Sequence, residues 1–335
     1  MKKDKKIIFL NVQILRMILS FNIVVMHCIG NKNKNKLIHF ICITGSYYYV
    51  PIFFLISFYF SYKTFSKRNI DKLKERLLRI SIPYIIWPIV FWSKFNIISY
   101  IKGKNVLNKY KILYYQLLIG KPFHSVFWFQ FCLLFWSIIF IIIILAFKNS
   151  YNYIMIVMLL IILFLNLSGF TPLILQSFNN MISRSIGDIF YKIIYIMSGF
   201  YFGSITILEK KYSLKIKILI ISMIGIFIFN KSLKKINNNY LIIQLIINII
   251  FLSFSFFPFD LIKNKIIISF INQITSFTGG IYYLHSEIKN RTFYISKIIQ
   301  KADFTSCVIN YCMCYIFCFF SFKLFKNNKL KYLFI

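Results

Sequence analysis

The sequence predicts an all-α, polytopic integral membrane protein with about ten transmembrane helices. Three observations carry that prediction. The chain of 335 residues is 59% hydrophobic and 20% aromatic, more apolar than a water-soluble domain of this length. Apolar runs of about 20 residues recur from end to end, each long enough to cross about 30 Å of hydrocarbon as a helix. The runs are continuous, without the polar and apolar alternation of a membrane barrel strand. Because the apolar residues are spread throughout, residues 1–335 read as one membrane domain with no soluble one.

The first span covers about 7–29. Its basic start, Met1-Lys2-Lys3-Asp4-Lys5-Lys6, has the outline of a signal peptide. The apolar run is too long for one, however, and Asn31 and Lys32 stand where a small-residue cleavage site would lie, so the segment is expected to be retained. Spans two and three cover about 38–62 and 80–101 and contain Pro51, Pro83 and Pro88. Each proline frees a carbonyl, which at membrane depth needs a neighbouring helix or water to satisfy it. Span four, about 125–147, ends at the turn Lys148-Asn149-Ser150, and span five, about 151–168, is ended by Gly169 and Pro172. Spans six to ten cover about 188–208, 214–230, 240–259, 266–288 and 305–325.

Charge sets the orientation. The formal net charge is +33, from 41 Lys and Arg against 8 Asp and Glu. The basic residues flank spans and form no separate domain, so they point to topology and anionic lipid and not to nucleic acid. With the N-terminus inside, the inner segments carry more Lys and Arg than the outer loops, and the loop expected after span two, Lys63 to Arg79, is the strongest single vote. Both termini are therefore expected to be cytoplasmic, in a cell or plasma membrane. The seven cysteines are scattered through apolar spans, which fits neither a disulfide framework nor zinc-ligand spacing, so no metal is expected.

Few polar groups lie at membrane depth, and they make a short list. Arg16 and His27 both fall in span one. An arginine in hydrocarbon costs about 2.5 kcal/mol or more, so such a residue tends to face protein and to have a job. Eleven residues advance a helix by three turns plus about 20°, which puts Arg16 and His27 on one face about 16 Å apart along the axis. His27 has the chemistry of a general base near neutral pH, and Arg16 that of a cation for an anionic group or a developing oxyanion. Packing of an interfacial histidine, or pairing of Arg16 with a carboxylate, is the plain alternative; Asp188 and Glu287 are acids near outer span ends.

At the inner side Arg76 and Arg79 stand three apart, on one helix side, with Lys72 and Lys74 nearby. Guanidinium forks suit phosphate, though topology alone also explains basic residues here. Span nine holds Gly279-Gly280-Ile281-Tyr282-Tyr283-Leu284-His285, whose small residues permit close helix approach and whose His285 lies towards the outer end. His124 precedes Trp128-Phe129 on the same predicted side, and His39 opens span two.

Taken in order, these stretches resemble the membrane-bound acyltransferase family 3, which includes O-antigen and polysaccharide O-acetyltransferases. Arg16 and His27 resemble its first-helix signature. Val50-Pro51-Ile52-Phe53-Phe54-Leu55-Ile56-Ser57 resembles its second-helix pattern. Arg76-x-x-Arg79 running into Ile82-Pro83-Tyr84 resembles its cytoplasmic basic motif, and Trp128-Phe129 its fourth-helix pair. Ser198-Gly199-Phe200-Tyr201-Phe202-Gly203 and Ile281 to His285 resemble later motifs. Two features depart from the pattern: Phe58 follows Ser57 where the family usually has Gly, and Val126-Phe127 replaces a His-Leu, with His124 displaced. The membrane part resembles the stand-alone kind, without a fused soluble domain.

The resemblance implies transfer of an acyl group, by default acetyl, from cytoplasmic acyl-CoA to a hydroxyl of a surface glycan or lipid-linked sugar. It implies His27 and Arg16 as catalytic residues. Arg76, Arg79, Trp128, Tyr283 and His285 are then expected to bind substrate, with Arg76 and Arg79 on the CoA phosphates. Expected partners are acyl-CoA, the saccharide acceptor and membrane lipid, and no nucleic acid. A polysaccharide exporter or flippase using the same polar residues as a path is the competing reading, and a membrane sensor without substrate is a third.

Overall fold

The computed structural model describes residues 2–29, 36–103, 127–147, 264–285 and 304–335, with single positions 113, 117, 150, 154, 157, 196, 199, 200 and 288. Apart from such single positions, predicted spans five to eight lie outside the described residues, as do His124, Asp188 and Glu287. Among the described residues all regular structure is helical. The helices are α1 (Lys2–Ile29), α2 (Lys36–Ser66), α3 (Ile70–Ile101), α4 (Phe127–Ala146), α5 (Lys265–Ser276) and α6 (Phe304–Leu324), followed by a 3-10 helix, η1 (Lys329–Phe334).

Among the described residues four helices are long and apolar enough to cross a membrane: α1 over Leu10–His27, α3, α4, and α6 over Thr305–Leu324. They coincide with predicted spans one, three, four and ten. In α2, Tyr49–Tyr62 form a shorter apolar stretch. The basic segment 63–79, expected as a loop, is mostly helix. Only Lys67–Asn69 separate α2 from α3. The turn is tight because Arg68 adopts φ 48°, the left-handed conformation common just past a helix C-terminus, and its N–H donates to Phe65 O at 3.1 Å. Arg76 and Arg79 therefore ride the first turns of α3, where helix geometry fixes their directions. At the other end Gly103, φ 66°, closes α3 in the same way.

The chain clusters into two compact units. The first comprises residues 1–16, 47–69 and 140–271, and the second residues 17–46, 70–139 and 272–335. The described core of the first unit includes a cluster of aromatic rings. Phe58 packs on Phe140 with ring centroids 5.0 Å apart, Phe140 on Phe200 at 5.2 Å, and Tyr62 on Phe200 at 4.8 Å. Gly199 makes this closeness feasible, because a Cβ there would fall onto the Leu55 carbonyl. Phe58, the departure from the family pattern, is thus a fully buried ring holding α2 to the end of α4.

The second unit is built around residues 278–285, a helical run that follows α5 after a turn at Phe277. Its core includes Val24 of α1, Trp87 and Phe91 of α3, Phe127 of α4, Ile281 and Leu284 of the central run, and Cys314 and Cys318 of α6. Gly280 lets α6 and the tail close in: an added Cβ would stand 2.6 Å from Cys318 Sγ and 2.8 Å from Phe334 O. Gly279 likewise abuts Ile335 O. The close approach expected at Gly279-Gly280 is therefore made to α6 and to η1. The segment η1 is held by its cap, where Asn328 Oδ1 accepts from Leu330 N at 3.1 Å, and by Trp87 Nε1 donating to Leu333 O at 3.2 Å.

Pro83 and Pro88 lie inside α3, which continues through both. Within the turn that Pro83 interrupts, Ile80 O accepts from Gln130 Nε2 at 3.2 Å. A side chain from α4 thus ties to the backbone of α3 one residue after Arg79, whose carbonyl is the one that Pro83 leaves without its helical donor.

Candidate active site

Six of the seven candidate residues fall in the second unit: His27, Arg76, Arg79, Trp128, Tyr283 and His285. Arg16 falls in the first, although α1 runs unbroken from Arg16 to His27. Arg16 is half-buried.

The central run positions the histidines. His285 lies at its end, fully buried, and its ring stands 4.9 Å from that of His27, centroid to centroid, at an interplanar angle of 46°. Two residues 258 positions apart thereby form one imidazole pair. His285 Nδ1 lies 3.3 Å from Ile281 O, one helical turn back. A carbonyl can only accept, so this contact places the proton on Nδ1 and leaves the lone pair of the neutral ring on Nε2. The backbone of His285 is held too: Asn310 Nδ2 donates to His285 O at 3.0 Å, and Cys314 Sγ donates to Asn310 Oδ1 at 3.3 Å. Asn310 is fully buried in α6, so its amide is committed to fixing the end of the run.

Aromatic side chains pack beside the pair. Tyr282 contacts His285 at 5.9 Å and Phe129 at 5.4 Å, and Phe129 in turn meets Trp128 edge-on at 6.4 Å. Tyr283 faces another side of the run, stacked between Phe127 at 5.7 Å and Trp87 at 6.4 Å. Its hydroxyl is buried and has no hydrogen-bond partner among the described residues. Phe127, which departs from the family pattern, is fully buried in this stack and also touches Phe91.

The structure separates the two arginines that the sequence grouped. Arg76 turns inward: its Nε is buried and its Nη2 donates to Ser137 Oγ of α4 at 3.3 Å. Arg79, about 300° further round the helix, stays exposed. It pairs with Glu75 at 2.5 Å, and its guanidinium stands 5.8 Å from the ring of Tyr332 in η1. Lys72 and Lys74 are exposed. One inward and one outward cation replace the single compact patch expected from spacing.

Sequence reasoning missed Ser137, Asn310, Tyr282 and Tyr332. A signal existed for two of them. Ser137 and Asn310 are single polar residues in otherwise apolar stretches of α4 and α6, and burial obliges such groups to find partners. His39 lies in α2, but its side chain is not among those described.

Comparison with known proteins gives one match. The family model of the acyltransferase domain of the acyltransferase 3 family matches residues 9–305. No curated protein and no solved structure matches.

Proposed function

The chain belongs to the acyltransferase 3 family, and from that premise we propose that it moves an acyl group, acetyl by default, from cytoplasmic acyl-CoA to a hydroxyl of a surface glycan or lipid-linked sugar. Membership supports a membrane acyltransferase in general. The observation that carries the finer reading is the imidazole pair of His27 and His285, 4.9 Å apart, in the unit that also holds the inward Arg76.

In this reading His27 takes the proton of the acceptor hydroxyl. The oxygen attacks the thioester carbonyl carbon, a C–O bond forms, the C–S bond breaks, and the departing CoA thiolate takes the proton from the imidazolium. His285, with its proton directed at Ile281 O, holds the ring of His27 and the acceptor in place. Arg16 supplies positive charge for the oxyanion. Arg76 and Arg79 hold donor phosphates, and Trp128 and Tyr283 form the apolar walls that receive the saccharide and the acyl chain. About ten spans with both termini cytoplasmic, in the cell membrane, put the donor on the inner side and the acceptor towards the outer.

The test is acyl transfer from labelled acetyl-CoA to glycan in isolated membranes. Loss of a general base costs about 10²- to 10⁴-fold, so His27→Ala should fall by that factor. Arg76→Ala should raise KM for the donor. Near-normal turnover by His27→Ala would sink the mechanism.

A further inference from the structure

We infer that η1 contributes to a phosphate-binding site: Tyr332 gathers the cations of Arg79 and Lys331 around one ring, and together they take a phosphate group at that end of α3. The inference rests on the reading that Arg79 meets the donor, and it adds residues that lie beyond the family match, which ends at residue 305.

The geometry is specific. The Arg79 guanidinium stands 5.8 Å from the Tyr332 ring centroid and the Lys331 ammonium 5.5 Å from the same centroid. Both distances are within cation–π range. The ring thus holds two cations at one end of α3, and a phosphate, whose oxygens accept from guanidinium and ammonium alike, suits such a pair. The ring itself is 8% exposed, so packing fixes its position. It is held by neighbours on both sides in sequence. The Asn328 cap precedes it, and Leu333 O, bonded to Trp87 Nε1, follows it. Glu75 is the carboxylate that faces Arg79 now. An exposed pair of this kind, one helical turn apart, is weak and yields readily to a phosphate. Tyr332 is thus a positioning residue, acting on the ligand through Arg79 and Lys331.

Phosphate of this chemistry has two sources, the CoA donor and an anionic lipid headgroup, and the experiment separates them. The full-length protein is purified in neutral detergent and its affinity for acetyl-CoA measured, with kcat and the donor KM determined in membranes. Retention of phosphatidylglycerol is measured on the same preparations. Tyr332→Leu keeps an apolar filler and loses the ring, whereas Tyr332→Phe keeps the ring. Tyr332→Leu and Lys331→Ala should each weaken acetyl-CoA binding about two- to fivefold, the effect of one cation–π contact. The loss should fall on the donor KM and not on kcat, and Tyr332→Phe should recover the parent value. Loss of phosphatidylglycerol retention, with acetyl-CoA affinity unchanged, would assign the same site to a lipid headgroup. If Arg79→Ala weakens donor binding but Tyr332→Leu and Lys331→Ala leave both ligands untouched, the inference is overturned and the proposed function stands. If Arg79→Ala also binds donor normally, the donor role of Arg79 fails. Gel filtration of each variant separates misfolding from lost binding, and Lys331→Ala, a half-exposed site, keeps the test open if Tyr332→Leu does not fold.

Discussion

Gly280→Ala tests the packing that fixes the histidine-bearing run. The added methyl would meet Cys318 Sγ at 2.6 Å and Phe334 O at 2.8 Å. Ordinary non-bonded contacts between heavy atoms lie at about 3.5–4.0 Å, so each neighbour must move by roughly 1 Å. The sulfur sits on a short side chain and the oxygen belongs to the backbone of η1, which Trp87 and the Asn328 cap hold in place. Overpacking of this kind costs about 1–3 kcal/mol. The better helix propensity of Ala returns up to about 1 kcal/mol, so at the upper end of that cost a net loss of about 2 kcal/mol remains. Thermal unfolding of the detergent-purified protein, followed by tryptophan fluorescence, measures it. Cys318→Ala removes one of the two obstacles, so Gly280→Ala should cost less in that background, but the clash with Phe334 O should persist. Acyl transfer should fall as well, because His285 rides the same run five residues on. A Gly280→Ala protein as stable and active as the parent would refute the close packing of α6 and η1 on this run.

Two further outcomes follow from the same structure. Phe58→Ala, which removes the ring packed on Phe140, should destabilise by about 3–5 kcal/mol in the same melting assay, since it empties a fully buried aromatic site. Asn310→Ala should cost about 1–3 kcal/mol by stripping His285 O of its donor. Its turnover should fall further than its stability predicts if the end of the run positions the imidazole pair, and the ratio of kcat between Asn310→Ala and a variant of equal melting temperature measures that.

Composition and periodicity carried a good deal of this protein. The length and apolarity of α1, α3, α4 and α6 were legible because crossing hydrocarbon as a helix needs about 20 apolar residues, a purely local requirement. Family membership was legible because motifs at Arg16, His27, Arg76, Arg79 and Trp128 keep their order along the chain. The importance of Gly279-Gly280 was legible too, because only a missing Cβ allows very close approach. Segment 63–79 was misread as loop because charge marks a membrane boundary and does not end a helix. Its α3 portion continues the helix that Ile80 to Ile101 require.

Tertiary structure decided the partners. Spacing put Arg76 and Arg79 on one helix side, but it took Ser137 on one neighbour and Tyr332 on another to send one guanidinium inward and leave the other exposed. The approach at Gly280 could have served any helix; the fold gave it to Cys318 and Phe334. The imidazole pair belongs here as well. Helical arithmetic says which face His27 shares, and nothing local in the sequence says that His285 meets it. Side-chain period is set by the backbone of one helix, whereas contact between helices depends on how all of them pack.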